Sequence, residues 1–354
     1  MLTVDLGAIA ANWRLLRDRH GGAVAGVVKA DAYGLGAARI GPALRDAGCR
    51  HFFVAQLAEG LALREAVGPG PTIAVLNGFA PGADGDAALL PVLNGLPDVD
   101  AHAAAARRSG RAAPAILHLD TGMSRLGLDA REQAAVAADR SRLDGLDLRW
   151  LMTHLACADE PDHPLNAAQT ARFAAVCARL PPGVPRSVAN SSGMFLGPAF
   201  ASDLARPGCA LYGVNPTPGR SNPMRQVVRL EAPVLQVREI AAGDTVGYGA
   251  SWTAGRTSRV ATVAAGYADG YLRALSGRAS GTIAGRPVPL IGRVSMDLIA
   301  FDVTDAPCLA PGDSITLIGP DGLAPDDLAA RAGTIGYEIL TGLGNRYRRE
   351  YVSA

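Results

Sequence analysis

A single lysine is the side chain whose type most clearly predicts chemistry. The chain has 34 Lys and Arg residues in 354, and Lys29 is the only Lys among them. Lys29 follows a short apolar run, and Tyr33, Gly34 and Gly36 come after it before helix-like sequence resumes. Arg stays protonated in proteins, whereas a desolvated Lys can become a nucleophilic amine that forms Schiff bases. We therefore predict that Lys29 supplies a free amine.

Two other interpretations of this segment are less specific. Gly34 and Gly36 could begin a dinucleotide-binding loop, but the third glycine of G-x-G-x-x-G would fall on Arg39. The single Lys could also be a chance remnant of an Arg-rich composition. The end of a buried strand is an unfavourable place for an idle ammonium, however, so the nucleophile is the favoured interpretation.

The elements that must position Lys29 alternate between short apolar runs and Ala-rich stretches typical of helices. The strand candidates are 24–30, 51–55, 72–77, 91–94, 115–120, 149–154, 187–190 and 204–211. The helix candidates between them include 57–67, 130–141 and 166–180, with apolar residues at three- and four-residue steps. Eight strands interleaved with helices predict an α/β fold, a (β/α)8 TIM-type barrel.

A breaker-rich linker at 216–223 ends this pattern. The strand candidates beyond it are 227–240, 259–265, 281–289, 298–303 and 314–319, with a short helix at 326–332. We therefore predict two domains, a barrel over residues 1–220 and a mainly β C-terminal domain over residues 221–354.

Polar side chains cluster at the ends of the barrel strand candidates, which in a barrel converge on one face. These are Lys29, His118, His154, Ser191 and Arg206, with Arg125 in the loop after the fifth strand. The sequence therefore predicts an active site on that face.

Composition excludes several other classes of protein. A net charge of +1 and the lack of a basic patch argue against a nucleic-acid partner. Neither a signal segment nor an apolar run long enough to span a bilayer is evident, so we expect a cytoplasmic protein. Five scattered cysteines and six histidines without metal-ligand spacing predict reduced thiols and no metal.

Residues 28–34, Val-Lys-Ala-Asp-Ala-Tyr-Gly, resemble the pyridoxal phosphate (PLP) lysine motif of the alanine racemase family, and later motifs extend the match over essentially the whole chain. The resemblance implies PLP on Lys29 and interconversion of L- and D-alanine, for peptidoglycan synthesis or alanine catabolism. Tyr267 would be the second base, which removes the proton from L-alanine while Lys29 serves the D face. His154 would contact Tyr267 and help this phenol, whose ordinary pKa near 10 makes it a poor base.

The same resemblance implies the other contacts of the cofactor. Arg206 matches the arginine that bonds the pyridine nitrogen. Its permanent charge would keep that nitrogen unprotonated and favour proton return at Cα over transamination. Arg206 would also contact His154. The implied phosphate cradle consists of Tyr33, Asn190, Ser191, Gly208 and Cys209.

Substrate binding is implied by two further matches. Arg125 matches the arginine that binds the cofactor's phenolic oxygen and the substrate carboxylate, and Met296, followed by Asp297, offers a backbone N–H to the same carboxylate. In family members, the residues matching Tyr267 and Met296 act on the other subunit's barrel. A head-to-tail homodimer with shared active sites is therefore implied.

The chain departs from the family pattern at two positions. His118 stands where family members usually have a carbamylated lysine that orients the arginine matching Arg125. We hypothesise that an acceptor nitrogen of neutral His118, or a bound anion such as chloride, holds Arg125 instead. Asn345 stands where a phosphate-contacting tyrosine often lies, so that contact is in question.

Other functions on the same scaffold are distinguishable in principle. A serine or broad-specificity racemase would differ in the pocket near Tyr267, Tyr271 and Met296. A PLP-dependent decarboxylase shares the two domains, but nothing matches its catalytic cysteine segment, because Cys308 lies in an Ala-Pro-Cys-Leu loop. A non-catalytic PLP carrier would need only the barrel, and the second domain with Tyr267 and Asp297 argues against it.

Overall fold

A computed structural model describes residues 1–353 of the protein. Its strands are β1 (Leu2–Asp5), β2 (Ala23–Val24), β3 (Gly26–Val27), β4 (His51–Val54), β5 (Thr72–Val75), β6 (Leu90–Leu93), β7 (Ala113–His118), β8 (Leu146–Met152), β9 (Arg186–Ser187), β10 (Leu204–Ala205), β11 (Val228–Ile240), β12 (Thr245–Val246), β13 (Trp252–Thr253), β14 (Ser258–Ala264), β15 (Ser280–Ile283), β16 (Arg286–Ile291), β17 (Leu298–Asp302), β18 (Ser314–Ile318) and β19 (Arg349–Val352).

The helices are α1 (Leu6–His20), α2 (Lys29–Gly34), α3 (Ala37–Asp46), α4 (Leu57–Val67), α5 (Leu96–Ser109), α6 (Ala130–Ala138), α7 (Pro164–Cys177), α8 (Pro325–Ala332) and α9 (Gly336–Gly342). Local sequence explains several ends. Asp129 accepts the N–H of Glu132 and the Glu132 carboxylate accepts the N–H of Asp129, a capping box that begins α6. Gly110, at φ 66°, ends α5 in the left-handed conformation that glycine adopts without strain.

The first domain is a closed barrel of parallel strands. Strands β3 to β9 pair in sequence order, and β10 pairs with β2, which runs on towards β3. The N–H of Arg206 donates to the carbonyl of Ala189 (2.8 Å) and connects the ends of β10 and β9. The connection from β5 to β6 forms turns rather than a helix, in a stretch rich in Gly, Ala, Pro and Asp.

The second domain is a mainly antiparallel sheet in the order β14-β17-β16-β15-β18-β11-β1-β19. Strand β11 also pairs with β14, so the six strands from β14 to β11 in this order form a closed barrel. The register of β11 shifts at Leu230/Glu231 and at Val234/Gln236, bulges that let one 13-residue strand bend between its neighbours. One apolar core cluster continues from the barrel into this domain.

The predicted fold class, a barrel followed by a mainly β domain, is confirmed. Several strand expectations were wrong in part. The segment 24–30 stops being a strand at Val27, and the segment 281–289 is a hairpin rather than one strand. The segment 187–190 is a strand only as far as Ser187. The segment 204–211 is a strand only at Leu204–Ala205 and becomes a 3-10 helix at Cys209, because Pro207 lacks the N–H group that a continued strand would need. Strand β1 lies in the predicted barrel range 1–220 and pairs with β11 and β19 in the antiparallel sheet. Within residues 1–353 no helix is long and apolar enough to cross a membrane.

Candidate active site

A cavity of about 590 Å³ opens at the carboxyl ends of the barrel strands. Ten side chains or backbone positions that the sequence singled out line it together: Lys29, Tyr33, His118, Arg125, His154, Asn190, Ser191, Arg206, Gly208 and Cys209. Their convergence follows from the barrel, because parallel strands deliver their C-terminal residues to one face.

Lys29 lies at the point where the first barrel strand ends in a left-handed turn. Ala30 to Tyr33 have φ between 52° and 57°, a conformation that costs an L-residue about 1–2 kcal/mol. The turn carries Lys29 out of the strand direction and into the cavity. Burial, and next the charge of Arg125, lower the pKa of Lys29 from its ordinary value. The amine is therefore easier to deprotonate than that of an exposed lysine.

Arg206 is only 4% exposed and is held on three sides. Its guanidinium donates to the Ser187 hydroxyl, to the Thr153 carbonyl (2.6 Å) and to Nδ1 of His154 (3.3 Å). Burial lowers its pKa to about 9, so it remains a cation at neutral pH. Burial, Arg206 and the other cations hold the pKa of His154 well below 6.5, and this ring is neutral.

A cradle for an oxyanion group lies between Ser191 and Gly208. The Ser191 hydroxyl accepts the backbone N–H groups of Gly208 (3.0 Å) and Ala210 (3.3 Å). A Cβ at position 208 would overlap Oη of Tyr33, so the close approach of these two segments of the chain favours glycine there. The ring of Tyr33 packs on that of Tyr212, with centroids 4.6 Å apart, which fixes its hydroxyl at the cradle.

The loop that carries Arg125 is held by hydrogen bonds from its backbone to the carboxylate of Asp120. Asp120 accepts the backbone N–H groups of Gly122, Met123 and Ser124 at 2.9–3.1 Å. This leaves the Arg125 guanidinium free to face the cavity, and within residues 1–353 it makes no hydrogen bond or ion pair to protein. The loop therefore presents a cation with its hydrogen-bonding capacity available to a ligand.

His118 lies beneath that loop and has a defined tautomer. Its Nδ1 is 2.8 Å from Oδ1 of Asn94, whose Nδ2 donates to the carbonyls of Leu76 and Val92. Because the Asn94 oxygen can only accept, Nδ1 of His118 carries the hydrogen. Burial, and next Arg206, lower the pKa of His118 to about 4. At neutral pH its Nε2 is therefore an acceptor.

Tyr267 and Met296, predicted to complete the site, lie outside the cavity of their own chain. They are neighbours, because the N–H of Ala268 donates to the Met296 carbonyl (3.0 Å), and they are 42% and 54% exposed. Asp297 pairs with Arg346 (2.7 Å) beside them. The structure thus brings the second group of predicted residues together on a separate surface.

Tyr271, by contrast, is 2% exposed and packs in the core. Its hydroxyl has no hydrogen-bond partner in the structure. Tyr271 therefore does not face the cavity of its own chain. Because its side chain is buried in the core, it does not line a substrate pocket, contrary to the expectation from the sequence.

Sequence reasoning missed Tyr337, at the start of α9, which lines the cavity. Its ring centroid is 5.9 Å from that of Tyr33, and its hydroxyl donates to Sγ of Cys209 (2.9 Å). Asn345 occupies the position at which family members often have a phosphate-contacting tyrosine. It lies outside the cavity and accepts a hydrogen bond from Arg349 (3.0 Å). The Tyr337 hydroxyl thus reaches the cradle from another position.

The charged side chains that line the cavity are all positive. Lys29, Arg125 and Arg206 line it, and among its lining residues in the described part of the chain none is Asp or Glu. Three cations, two neutral imidazoles and an oxyanion cradle fit a ligand with a phosphate and a carboxylate, as PLP with an amino acid would offer. In residues 1–353 no group of three or more His, Cys, Asp or Glu is placed to hold a metal ion.

A parallel barrel with a single, partly desolvated lysine at its carboxyl face, joined to a β domain, is the arrangement expected of a barrel enzyme that forms Schiff bases. The family models "Alanine racemase, N-terminal domain" and "Alanine racemase, C-terminal domain" match residues 4–216 and 227–351. The chain belongs to the alanine racemase family.

Individual relatives cover nearly the whole chain. An alanine racemase of Acidiphilium cryptum is 58% identical over 98% of this chain and 97% of its own length. A catabolic alanine racemase of Mesorhizobium japonicum is 51% identical over 99% and 93%. The crystal structure of alanine racemase from Bartonella henselae, with covalently bound PLP, superposes with a TM-score of 0.94 at 41% identity, covering 99% of both chains. The family and enzyme class expected from the sequence are confirmed.

Proposed function

We propose that the protein interconverts L-alanine and D-alanine with PLP held on Lys29. The observation that carries this proposal is the position of the only lysine in the chain, in a cavity with two arginines and no lining carboxylate. When bound, PLP would supply an electron sink that makes the Cα–H bond of the amino acid labile. The D-alanine product would serve peptidoglycan synthesis and the reverse reaction alanine catabolism.

The barrel residues would bind the cofactor at both of its ends. The hydroxyl groups of Ser191 and Tyr33 and the backbone at Gly208 and Cys209 would hold the phosphate, with Asn190 and Tyr337 around it. Arg206 would donate to the pyridine nitrogen. Because a guanidinium has no acceptor and does not give up its proton readily, it would keep that nitrogen unprotonated. This weakens electron withdrawal and favours return of the proton to Cα.

Arg125 would bind the substrate carboxylate, and His118 would orient it. The hydrogen on Nδ1 of His118 is committed to Asn94, so the Nε2 lone pair remains for the Arg125 guanidinium. The neutral ring supports the first of the two hypotheses made from the sequence, an acceptor nitrogen in place of a carbamate. No carboxylate of the described chain pairs with Arg125.

The second base would come from another copy of the chain. Tyr267 and Met296 are exposed and lie together, but they are not part of the cavity that contains Lys29. A head-to-tail homodimer would bring Tyr267 of the partner subunit to the face of Cα opposite Lys29. Met296 of the partner subunit would offer its N–H to the carboxylate. Each proton would then be removed and returned on a different face, as racemisation requires.

The direct test is incubation of PLP-loaded protein with L-alanine in deuterated water, followed by chiral separation and mass spectrometry. We expect D-alanine carrying one deuterium at Cα, and the same label in L-alanine formed from D-alanine. L-Serine in parallel tests the breadth of the substrate pocket. Protein that binds PLP but leaves both alanine enantiomers unlabelled would contradict the proposed function.

A further inference from the structure

Glu59 makes an unusual set of contacts next to Lys29. Its carboxylate, near the start of α4, accepts the backbone N–H groups of Ala55 (2.7 Å) and Gln56 (3.0 Å) through Oε2. These two bonds belong to the ordinary capping of a helix start. The other oxygen, Oε1, accepts the N–H of Ala30 at 2.6 Å, from a segment 29 residues earlier in the chain.

This third bond reaches the residue directly after Lys29. Ala30 is the first of five consecutive residues with positive φ, and only the last of them, Gly34, is glycine. Local sequence preference does not favour such a turn, so contacts from elsewhere must stabilise it. Glu59 supplies one at the residue where the chain leaves the strand direction and the lysine side chain is aimed.

Glu59 also opposes the cations around Lys29. Several titratable and charged groups surround the amine. Asp31 and Tyr33 lie on its own turn, Glu59 reaches that turn from α4, and the other such groups that line the cavity are Arg125, Arg206, His118, His154, Cys209 and Tyr337. Burial and Arg125 lower the pKa of Lys29, while Glu59 raises it. Glu59 is therefore a carboxylate that touches the lysine segment and counters the positive charge.

We propose that Glu59 is a positioning residue for Lys29: it fixes the left-handed turn through Ala30 and sets the charge balance at the amine from outside the cavity. The inference rests on the proposed role of Lys29. Glu59 does not line the cavity. It acts through the backbone and through space, so no contact with substrate or cofactor is required.

The single lysine allows a direct test on the full-length chain without cofactor. Acetic anhydride reacts with free amines, so the pH dependence of acetylation of the peptide containing Lys29 reports the titration of one side chain. The variants are Glu59→Gln, which removes the charge, and Glu59→Asp, which keeps it but shortens the reach. Glu65→Gln is the matched control, because Glu65 is exposed on the same helix.

We expect the Lys29 midpoint in Glu59→Gln to fall by at least roughly half a pH unit, and in Glu65→Gln to stay at the wild-type value. Amide exchange of the peptide covering 30–33 should be faster in both Glu59 variants. Equal midpoints in wild type and Glu59→Gln would overturn the proposal, as would an equal shift in Glu65→Gln. If Glu59→Gln does not fold, unchanged amide exchange in Glu59→Asp overturns it.

Wild-type racemisation is measured on the same preparations once PLP is restored. An inactive wild-type protein would contradict the proposed function while the titration still reports on Glu59. An active wild-type protein with an unmoved midpoint in Glu59→Gln would contradict only the role of Glu59.

Discussion

The guanidinium of Arg206 lies 3.3 Å from Nδ1 of His154, and the buried arginine and half-buried histidine both line the cavity. Arg has only donors, so Nδ1 accepts and the hydrogen of the neutral ring lies on Nε2. An Nε2–H group that meets Tyr267 of the partner subunit would donate to its oxygen. Hydrogen bonding to the charged form lowers a pKa, so Arg206 would help the phenol to act as a base through His154.

Replacement of Lys29 by Arg keeps the positive charge but removes the nucleophilic amine. We expect loss of covalently bound PLP, seen by mass spectrometry after borohydride reduction, and a decrease in racemisation of at least about a thousandfold. Arg14 is exposed on α1, so Arg14→Lys in the same chain restores one lysine away from the cavity. If that double variant recovers activity, the assignment of Lys29 is wrong.

Gly208→Ala should weaken cofactor binding, because the new methyl group would overlap the hydroxyl of Tyr33 at the cradle. We expect the dissociation constant of PLP, followed by absorbance, to rise at least about tenfold. Gly255→Ala is the control, since nothing lies within 4 Å of its added Cβ and its φ is not positive. Equal PLP affinity in the two variants would argue against the phosphate cradle.

His118 should make the folded state sensitive to mild acid. Its pKa is about 4 in the folded protein and about 6.5 when unfolded, so between these values the unfolded chain binds the extra proton and stability falls as pH falls. Between pH 7 and pH 5 this amounts to about 2 kcal/mol. Urea titrations of wild type and His118→Gln should show a smaller acid loss in the variant by this amount. If the free energy of unfolding falls equally steeply with pH in wild type and His118→Gln, His118 is not a buried neutral imidazole.

Tyr271→Phe removes a buried hydroxyl that has no hydrogen-bond partner. We expect the free energy of unfolding to rise by about 1 kcal/mol and racemisation to stay within about twofold of wild type. Both follow if Tyr271 serves the core of the β domain. If the variant is as stable as wild type but racemises alanine at least about tenfold more slowly, Tyr271 contributes to the active site.

Sequence patterns predicted the barrel and most of its cavity, because apolar runs mark strands and polar residues at strand ends mark one face. Lys29 and Arg206 could be found in this way. The pairing of β1 with β11 could not, since it joins residues more than 220 positions apart. Nor could the left-handed turn that begins at Ala30, because its first four residues are not glycine and a distant carboxylate helps to hold it. Tyr337 was missed because a tyrosine in a short helix gives no local sign of facing a cavity.

In the proposed dimer, Lys29 of one subunit and Tyr267 of the other act on one substrate. Lys29→Ala and Tyr267→Ala proteins, each inactive, are mixed in equal amounts under mild denaturant and returned to native conditions with PLP. Half of the randomly formed dimers are mixed, and each mixed dimer regains one intact site of two. We therefore expect about a quarter of wild-type racemase activity. Mixed dimers that form, as shown by native mass spectrometry, but recover no activity would contradict it.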